Sequence, residues 1–385
     1  MKNIFYSLLV LAFFVSCSPN QGMKLIVKNS SSFDRSKELV EIPVEKIKEK
    51  VTLGDGQVYI VKNKQGEIIP SQVTYDGKLI FQSGVNSGNA EYIISAGAAV
   101  EFKNLTYGRL IKERLDDFAW ENDRVAYRVY GAALVAKDGP SNGIDIWYKR
   151  TNELIIDKWY QKDLAKIASY HDDHGEGLDD YKVGRSLGAG GMAPYANNLL
   201  WLNENFINHE VLENGPLRTT VKLTYKDIDV DKAVFTETRT ISIDAGAQLS
   251  KVTQEYGTKN PLKVAAGIPL REDTPQIVSS LDEGYIIYTE HSVKGGDVFV
   301  ALLFPKGIEA IENNSYVYNN PMNKNKPETH NHVLGVTTYQ PNTPISYYTG
   351  YGWTKFGFAK VADFQKYIEN FNESIKQPLI VEYIK

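Results

Sequence analysis

Cysteine is almost missing from this chain of 385 residues, in which Cys17 is the only one. An internal disulfide is therefore excluded, and thiol catalysis has no candidate in the body of the chain. The sequence also lacks a Gly-x-Ser-x-Gly elbow, so nucleophilic serine catalysis has no support. Apart from residues 4–15, no segment approaches the run of about 20 apolar residues that spans a membrane as a helix.

An excess of basic residues is missing as well. The formal net charge is -4, with 43 Lys and Arg against 47 Asp and Glu. Proteins that bind nucleic acid usually carry a basic patch, so we expect no nucleic-acid partner. The apolar fraction of 42% and the charged fraction of 23% are ordinary for a globular protein. Tyrosine is abundant, with 24 residues, and its ring suits both β-sheets and the stacking of sugars.

The N-terminus has the pattern of a secretion signal. A basic start is followed by the apolar residues 4–15 and then by Ser16-Cys17-Ser18. The position of Cys17 resembles a bacterial lipoprotein box, whereas a plain signal peptide with an incidental cysteine is the alternative. We therefore expect residues 1–17 to be a lipoprotein signal peptide and Cys17 to anchor the protein to a membrane by lipid. No acidic run follows it, which favours a periplasmic location.

Hydrophobic periodicity predicts a mainly β protein. Short alternating segments bounded by glycine and asparagine turns predict a β-sandwich at residues 23–103. Longer segments with one solvent-exposed face and one buried face predict a large antiparallel super-sandwich at residues 104–385. Residues 154–168 could form a helix, and the apolar spacing of residues 361–375 predicts an amphipathic helix followed by a closing strand at 379–384.

One long polar segment, residues 170–197, interrupts this pattern. It begins with His171-Asp172-Asp173-His174 and contains many glycines, so neither helix nor strand periodicity applies. A polar loop of this length in a compact domain is usually functional or disordered, and its aromatic residues favour order. His171 and His174 are candidates for proton transfer. A divalent metal at this loop is a second reading and a solvated acidic surface loop a third, and no cofactor is firmly implied.

The same loop supplies further candidates. Glycines flank Arg185, and an arginine in such a setting can hold a carboxylate with two parallel hydrogen bonds. Tyr181 and Tyr195 are candidate proton donors. The catalytic set predicted from this loop therefore consists of His171, His174, Tyr181, Arg185 and Tyr195.

Two other places contain candidate substrate-binding residues. Trp120 could be a stacking platform for a sugar, with the adjacent polar residues Glu121, Asn122 and Arg124, although a salt-bridged strand end explains the same pattern. Trp353 is a further platform candidate. His330 and His332 alternate on a predicted strand, so both side chains should point to one face and could meet the loop histidines in one cleft.

Four motifs together resemble a known family. They are Phe-Ala-Trp-Glu-Asn-Asp-Arg-Val-Ala-Tyr-Arg-Val-Tyr-Gly at 118–131, His-Asp-Asp-His-Gly-Glu-Gly at 171–177, residues 187–194, and Gly-Pro-Leu-Arg at 215–218. The sequence resembles a Bacteroidetes family from polysaccharide-utilisation loci that has long been described only as a domain of unknown function. The resemblance covers nearly all of the chain after residue 17.

The resemblance implies both a fold and an activity. The fold would be similar to galactose mutarotase and to the super-sandwich polysaccharide lyases. The activity would be that of an oligosaccharide dehydratase in ulvan breakdown, which removes water across C4 and C5 of a terminal uronic acid. That elimination needs a base, an acid and a cation near the carboxylate. A polysaccharide lyase, a glycoside hydrolase and a non-catalytic glycan-binding lipoprotein are the alternatives.

Overall fold

The structure is a computed structural model that describes residues 22–292, 294–320 and 326–384. The predicted signal peptide and Cys17 lie outside these residues. Every strand pairing within the described sheets is antiparallel. The prediction of a mainly β protein built from antiparallel sheets is therefore confirmed. None of the described helices has the length and apolarity that crossing a bilayer requires.

Two sheets form the N-terminal sandwich. Their facing side chains make a separate core that includes Leu25, Val61, Phe81 and Ile94. One sheet has the order Ile380–Ile384, Met23–Asn29, Gly88–Ala98, Gln57–Asn63 and Ile68–Ile69. The other has the order Leu39–Pro43, Lys78–Gln82 and Ser71–Val73. The predicted closing strand thus joins the N-terminal sheet and not the larger region, because it pairs with the first strand.

The larger region is built from three main sheets and one hairpin. The first sheet has the order Gly177–Leu178, Asp145–Lys149, Ala126–Val129, Asp117–Asn122 and Thr106–Ile111. The second has the order Leu199–Leu200, Met192–Ala196, Leu262–Leu270, Glu328–Tyr339 and Ala310–Tyr318. The third has eight strands: Asn208–Asn214, Arg218–Thr224, Glu237–Asp244, Leu249–Tyr256, Ile345–Trp353, Asp297–Leu303, Tyr285–His291 and Gln276–Ser280. The hairpin pairs Ile228–Val230 with Ala233–Phe235.

The described helices are few and short, apart from the last one. They are Val44–Lys48, Ala132–Asp138, Ile156–Leu164 and Val361–Lys376, with one 3-10 turn at Lys112–Arg114. The last helix buries Phe364 and Ile368 against the eight-stranded sheet, next to Ile287 and Phe299. Both predicted helical segments are therefore confirmed. One continuous apolar core joins all three large sheets and includes several of the tyrosines together with Trp120 and Trp353.

Candidate functional site

The His171 and His174 side chains lie at the surface. The His171 side chain is 57% exposed, and its Nδ1 lies 3.1 Å from the backbone oxygen of Asp179. His174 Nε2 lies 3.1 Å from the backbone oxygen of Ser169. Within the described residues, no group of three or more His, Cys, Asp or Glu side chains is placed to hold a metal ion. The metal reading of this loop therefore does not fit the donors that are present.

The Trp120 segment is structural. Trp120 is 1% exposed, stacks on Tyr127 with ring centroids 5.2 Å apart, and donates from Nε1 to Ser250 Oγ at 3.0 Å. Trp353 is also 1% exposed and belongs to the main core. The prediction that these two rings are sugar platforms is wrong, because neither presents a face to solvent. The sequence could not distinguish the two roles, because a tryptophan in the core and a tryptophan that stacks on a sugar give the same alternating pattern along a strand.

The polar residues after Trp120 have structural partners as well. Glu121 is buried and accepts hydrogen bonds from Lys149 Nζ at 2.8 Å and from the backbone N–H groups at the start of the helix Ile156–Leu164. Asn122 Oδ1 accepts from the N–H groups of Arg124 and Val125 and so closes a tight turn. The proposed substrate-binding role of Glu121 and Asn122 is wrong, because their polar atoms are already used inside the protein.

The side chains of Arg124 and Tyr195 also contact other residues of the protein. Arg124 Nε donates to Gln248 at 3.2 Å, and its guanidinium lies 4.6 Å from the centroid of the Phe356 ring. Tyr195 is buried, and its hydroxyl donates to Glu312 at 3.0 Å. The structure therefore gives both side chains a packing role and does not add them to the site described next.

The second histidine pair lies near the start of a strand, with His332 buried and His330 partly buried. His330 and His332 lie on the strand Glu328–Tyr339 and, as predicted, point to one face, where both rings contact the Tyr316 ring of the neighbouring strand. The Tyr316 and His332 rings are parallel within 11° with centroids 5.7 Å apart. His332 is 0% exposed. We call the region around this pair the histidine cleft, defined by His330, His332, Tyr316, Tyr181, Arg185 and Arg271.

The loop after residue 180 forms one wall of the histidine cleft. The backbone N–H of Leu187 donates to His332 Nε2 at 3.2 Å, so His332 carries its proton on Nδ1. His332 Nδ1 is buried and makes no hydrogen bond to the described chain. Gly184 has a positive φ of 57°, and a Cβ there would lie 3.5 Å from the His330 ring. The glycine thus lets the loop turn next to the histidine.

Arg185 is held firmly at this wall. Its guanidinium donates to the backbone oxygens of Leu202 and Asn203, and Tyr316 donates its hydroxyl to the Arg185 backbone oxygen. Burial lowers the pKa of Arg185 from its usual value. The predicted arginine is therefore in the cleft with Tyr316 and the buried histidines, and part of its hydrogen-bonding capacity orders the loop.

Arg271 brings a second cation to the cleft. It follows the strand Leu262–Leu270, which pairs with the histidine strand. Its guanidinium lies 4.4 Å from the centroid of the Tyr181 ring and donates to Glu290. The Tyr181 hydroxyl is buried and makes no hydrogen bond of normal geometry within the described chain. A buried hydroxyl beside a cation in a polar cleft is a candidate for contact with a ligand.

The electrostatics of the cleft keep both histidines neutral. Burial, with His330 and Arg271 acting in the same direction, lowers the pKa of His332 to about 3. Burial also lowers the pKa of His330, with Arg271 and Arg185 acting in the same direction and Glu328, 3.5 Å from Nε2, opposing them. Burial raises the pKa of Tyr181 and keeps its hydroxyl protonated. The site therefore offers a neutral base and a protonated acid at neutral pH.

A cavity of about 250 Å³ adjoins the histidine cleft. Arg185, Gly184 and Glu328 line it on the side of the cleft, and Arg114 of the 3-10 turn and Tyr130, which follows the strand Ala126–Val129, are among its other lining residues. The larger cavities in the structure lie at the N-terminal sandwich and at its contact with the eight-stranded sheet. The cavity of about 250 Å³ is considered as the candidate site because Gly184, Arg185 and Glu328 join it to the histidine cleft.

The two histidine pairs do not meet. Within residues 22–292, 294–320 and 326–384, no hydrogen bond, ion pair or ring contact joins the loop pair to the strand pair. The structure does bring Tyr181 and Arg185 to the strand pair. Arg271, Glu290, Tyr316 and Glu328 were not predicted from the sequence. The sequence held one signal for Tyr316, which was the alternation of tyrosines at 316 and 318. This segment pairs with the histidine strand in the sheet.

These features define a class by fold: a multi-sheet antiparallel β protein with a polar cleft at a strand end. A protein in glycosyl hydrolase family 38 from Enterococcus faecalis is similar in fold, with a TM-score of 0.50 and 9% identity over 96% of this chain and 48% of that one. An alpha-mannosidase from Enterococcus faecalis V583 has a TM-score of 0.49 and 10% identity over 95% of this chain and 46% of the other. The chain thus spans about half the length of these solved structures.

The family follows from sequence. The model of the Domain of unknown function DUF4861 matches residues 27–381, and the chain belongs to this family. A relative described as Uncharacterized protein P7, from Formosa agariphila (strain DSM 15362 / KCTC 12365 / LMG 23005 / KMM 3901 / M-2Alg 35-1), is 29% identical over 407 residues and covers 99% of each chain. The expected membership in a family described as a domain of unknown function is confirmed.

Proposed function

We propose that this protein is a carbohydrate-active dehydratase that eliminates water across C4 and C5 of the uronic acid at the non-reducing end of an oligosaccharide. One observation carries the proposal. The buried hydroxyl of Tyr181 lies beside the guanidinium of Arg271, in a cleft that also holds the neutral His330. A base, an acid and a cation are the three groups that elimination beside a carboxylate requires.

The cation is required by the weak acidity of the C5 proton. As that proton leaves, negative charge develops on the adjacent carboxylate. A positively charged donor placed at this carboxylate stabilises the transition state more than the ground state. Arg271, whose side chain is 24% exposed, is the assigned partner of the carboxylate, with Arg185 on the wall of the adjoining cavity.

The two proton transfers are assigned to different side chains. His330 takes the C5 proton, the electrons of the C5–H bond form the C4=C5 double bond, and the C4–O bond breaks. Tyr181 donates its proton to the departing hydroxyl, which leaves as water. His332 is assigned no contact with the substrate, because it is fully buried, and it positions the loop by accepting a hydrogen bond at Nε2 from the backbone N–H of Leu187. Neutral His330 and protonated Tyr181 are the states that their environments favour.

The fold and the sequence resemblance support a glycan substrate. The fold is shared with a protein of glycosyl hydrolase family 38, but a fold alone does not assign a reaction. The specific loop motif at residues 171–177 supports uronate-ended fragments such as those from ulvan. His171 and His174 belong to that motif and stay candidates, as surface residues, for contacts with the outer part of a substrate.

Incubation with saturated uronate-ended oligosaccharides tests the reaction. Dehydration predicts a new near-ultraviolet absorbance from the conjugated double bond, together with the loss of one water from the intact oligosaccharide by mass. A new absorbance with a shortened chain would instead indicate a polysaccharide lyase. A shortened chain without absorbance would indicate a glycoside hydrolase, and binding without any product would indicate a glycan-binding protein. Each of these three outcomes contradicts the proposal.

We also propose that Cys17 carries lipid and holds the protein at a membrane in the periplasm. The proposal rests on the signal-like residues 1–17 alone. Membrane and soluble fractions of cells that produce the wild type and Cys17→Ala provide the test. The wild type should fractionate with the membrane and the variant should not. An unchanged distribution of the variant would contradict the proposed anchor.

A further inference from the structure

A polar cleft of about 460 Å³ lies where the N-terminal sandwich meets the eight-stranded sheet. Its volume is within the range of cavities that bind small molecules, and such cavities are common where two structural units meet. The proposed elimination uses none of its residues. We call it the sandwich cleft and define it by six lining residues, namely Glu213, Ser242, Lys251, Tyr348, Tyr75 and Phe371.

The floor of the sandwich cleft is the face of the eight-stranded sheet that points away from the main core. Cross-strand pairing places five polar side chains in one row across neighbouring strands: Glu213, Thr220, Ser242, Lys251 and Tyr348. Residues that pair directly across antiparallel strands point to the same face of a sheet. Their sequence neighbours Val221 and Ile241 point the other way and belong to the main core. The row therefore presents hydrogen-bonding groups along a line, which suits an extended ligand.

Hydrogen bonds and ion pairs hold the walls of the sandwich cleft in place. Arg218 of the sheet donates to Asp244 at 2.5 and 2.8 Å and pairs with Glu41 of the sandwich at 2.7 Å. Gln72 of the sandwich donates to Glu213 at 3.1 Å and accepts from the backbone N–H of Arg218 at 2.9 Å. A site whose walls are already positioned pays less conformational entropy when a ligand binds, which favours affinity.

Three aromatic rings line the sandwich cleft beside the polar row. Tyr75, in the turn between the strands Ser71–Val73 and Lys78–Gln82, is 55% exposed. Tyr348 and Phe371 are partly buried, and their rings meet edge to face with centroids 5.1 Å apart. A sugar has apolar ring faces and hydroxyl groups around its edge, so aromatic rings beside polar side chains are suited to bind it.

The charges of the sandwich cleft favour a neutral ligand. Five carboxylates and three cations are among its lining residues. Arg35, which lies outside the lining, bonds Glu38 and neutralises one carboxylate, but the negative excess remains. Lys251 is exposed and has no ion-pair partner among the described residues. An anionic sugar would be repelled by this excess, whereas neutral hydroxyls can accept from Lys251 and donate to Glu213.

We propose that the sandwich cleft is a second carbohydrate site, which binds a neutral segment of a glycan chain along the row from Glu213 to Tyr348. It shares no lining residue with the cavity beside the histidine cleft. The two sites would take different parts of a glycan, a uronate at the histidine cleft and neutral sugars at the sandwich cleft. Binding at the sandwich cleft needs no proton transfer, so the proposal does not rest on the proposed elimination.

Titration calorimetry of the full chain with neutral tetrasaccharides tests the second site. The probes are cellotetraose, xylotetraose and mannotetraose, and tetragalacturonate is the anionic comparison. At least one neutral probe should bind. Lys251→Gln and Tyr75→Ala should each weaken that binding roughly fivefold, the loss expected for one hydrogen bond or one stacking contact. Both side chains are exposed, so both variants should fold.

Lys222→Gln is the matched control. Lys222 lies on the same face of the sheet as the polar row but outside the lining of the cleft, and its loss should leave the affinity unchanged. If no neutral probe binds, or if Lys251→Gln and Tyr75→Ala keep the wild-type affinity, the proposal is overturned. Losses confined to tetragalacturonate would overturn the assignment to neutral sugars. Calorimetry needs no turnover, so these outcomes are distinguishable from a failure to form an unsaturated product, which contradicts the proposed function instead.

Discussion

The two histidine pairs have similar sequence spacing and opposite environments. His171 and His174 lie on an acidic surface loop, and their ring nitrogens contact backbone oxygens. His330 and His332 alternate on a strand between Tyr316 and two arginines. Spacing alone therefore does not identify a catalytic pair. Burial next to cations, which keeps an imidazole neutral, separates the two pairs physically.

The largest expected effect comes from His330. His330→Gln should lower turnover on uronate-ended oligosaccharides by about 10²–10⁴-fold, because it removes the base. His174→Gln makes the same change on the exposed loop and should leave turnover near the wild-type value. Both variants are compared by initial rates of absorbance increase. Equal losses of turnover in the two variants, or a loss only in His174→Gln, would contradict the assignment of the base to His330.

Arg271→Gln should have the next largest effect. Losing one charge-matched donor at the carboxylate should cost about 10²–10³-fold in turnover. The loop region offers a matched cation, Arg150, which pairs with Asp173 at 3.0 Å. Arg150→Gln should change the rate little. The account would be contradicted by an Arg271→Gln enzyme with normal kcat and normal KM.

The buried His332 should also make stability depend on pH. Its pKa is about 3 in the folded protein against the ordinary value of 6.5, so the unfolded chain binds more protons between these values. Stability should therefore fall as the pH drops below about 6.5. The contribution of this residue to the loss at pH 5 is about 2 kcal/mol.

Urea unfolding at pH 7 and pH 5 measures this contribution. His332→Gln should show a smaller loss between the two pH values than the wild type. His174→Gln should keep the wild-type loss, because that ring is exposed in the folded protein. The same pH dependence in His332→Gln and in the wild type would mean that His332 is not held neutral by burial.

The smallest expected effect concerns the support of the buried pair. Tyr316→Phe removes the hydrogen bond to the Arg185 backbone oxygen but keeps the ring against both histidines. The free energy of unfolding should drop by about 1 kcal/mol. Tyr75→Phe, at a tyrosine that is mostly exposed, is the control and should change it little. An unchanged unfolding midpoint for Tyr316→Phe would show that this hydrogen bond does not stabilise the cleft.

Local patterns predicted the fold well. Alternation identified the antiparallel strands, and the spacing of Phe364, Tyr367, Ile368 and Phe371 identified the last helix. The pairing of the last strand with the first could not be predicted, because either edge of a sandwich accepts a strand of that pattern. Long-range pairing depends on the whole topology and not on a local signal.

The candidate site was only partly predictable. Tyr181, Arg185, His330 and His332 stand out in sequence by their neighbours or by alternation. Arg271 and Glu290 have no local signature, because they reach the cleft only after two sheets pack together. The platform role predicted for Trp120 is wrong because tryptophan both binds sugars at surfaces and fills hydrophobic cores, and Trp120 lies in the core.

Histidine side-chain NMR of the full chain with the unsaturated product tests the central claim most directly. The chain contains six histidines, so their ring signals can be assigned with single His→Gln variants. Added product should shift the signals of His330 and His332 strongly and those of His171 and His174 weakly. Strong shifts at His171 and His174 with none at His330 and His332 would place the chemistry on the surface loop and contradict the account.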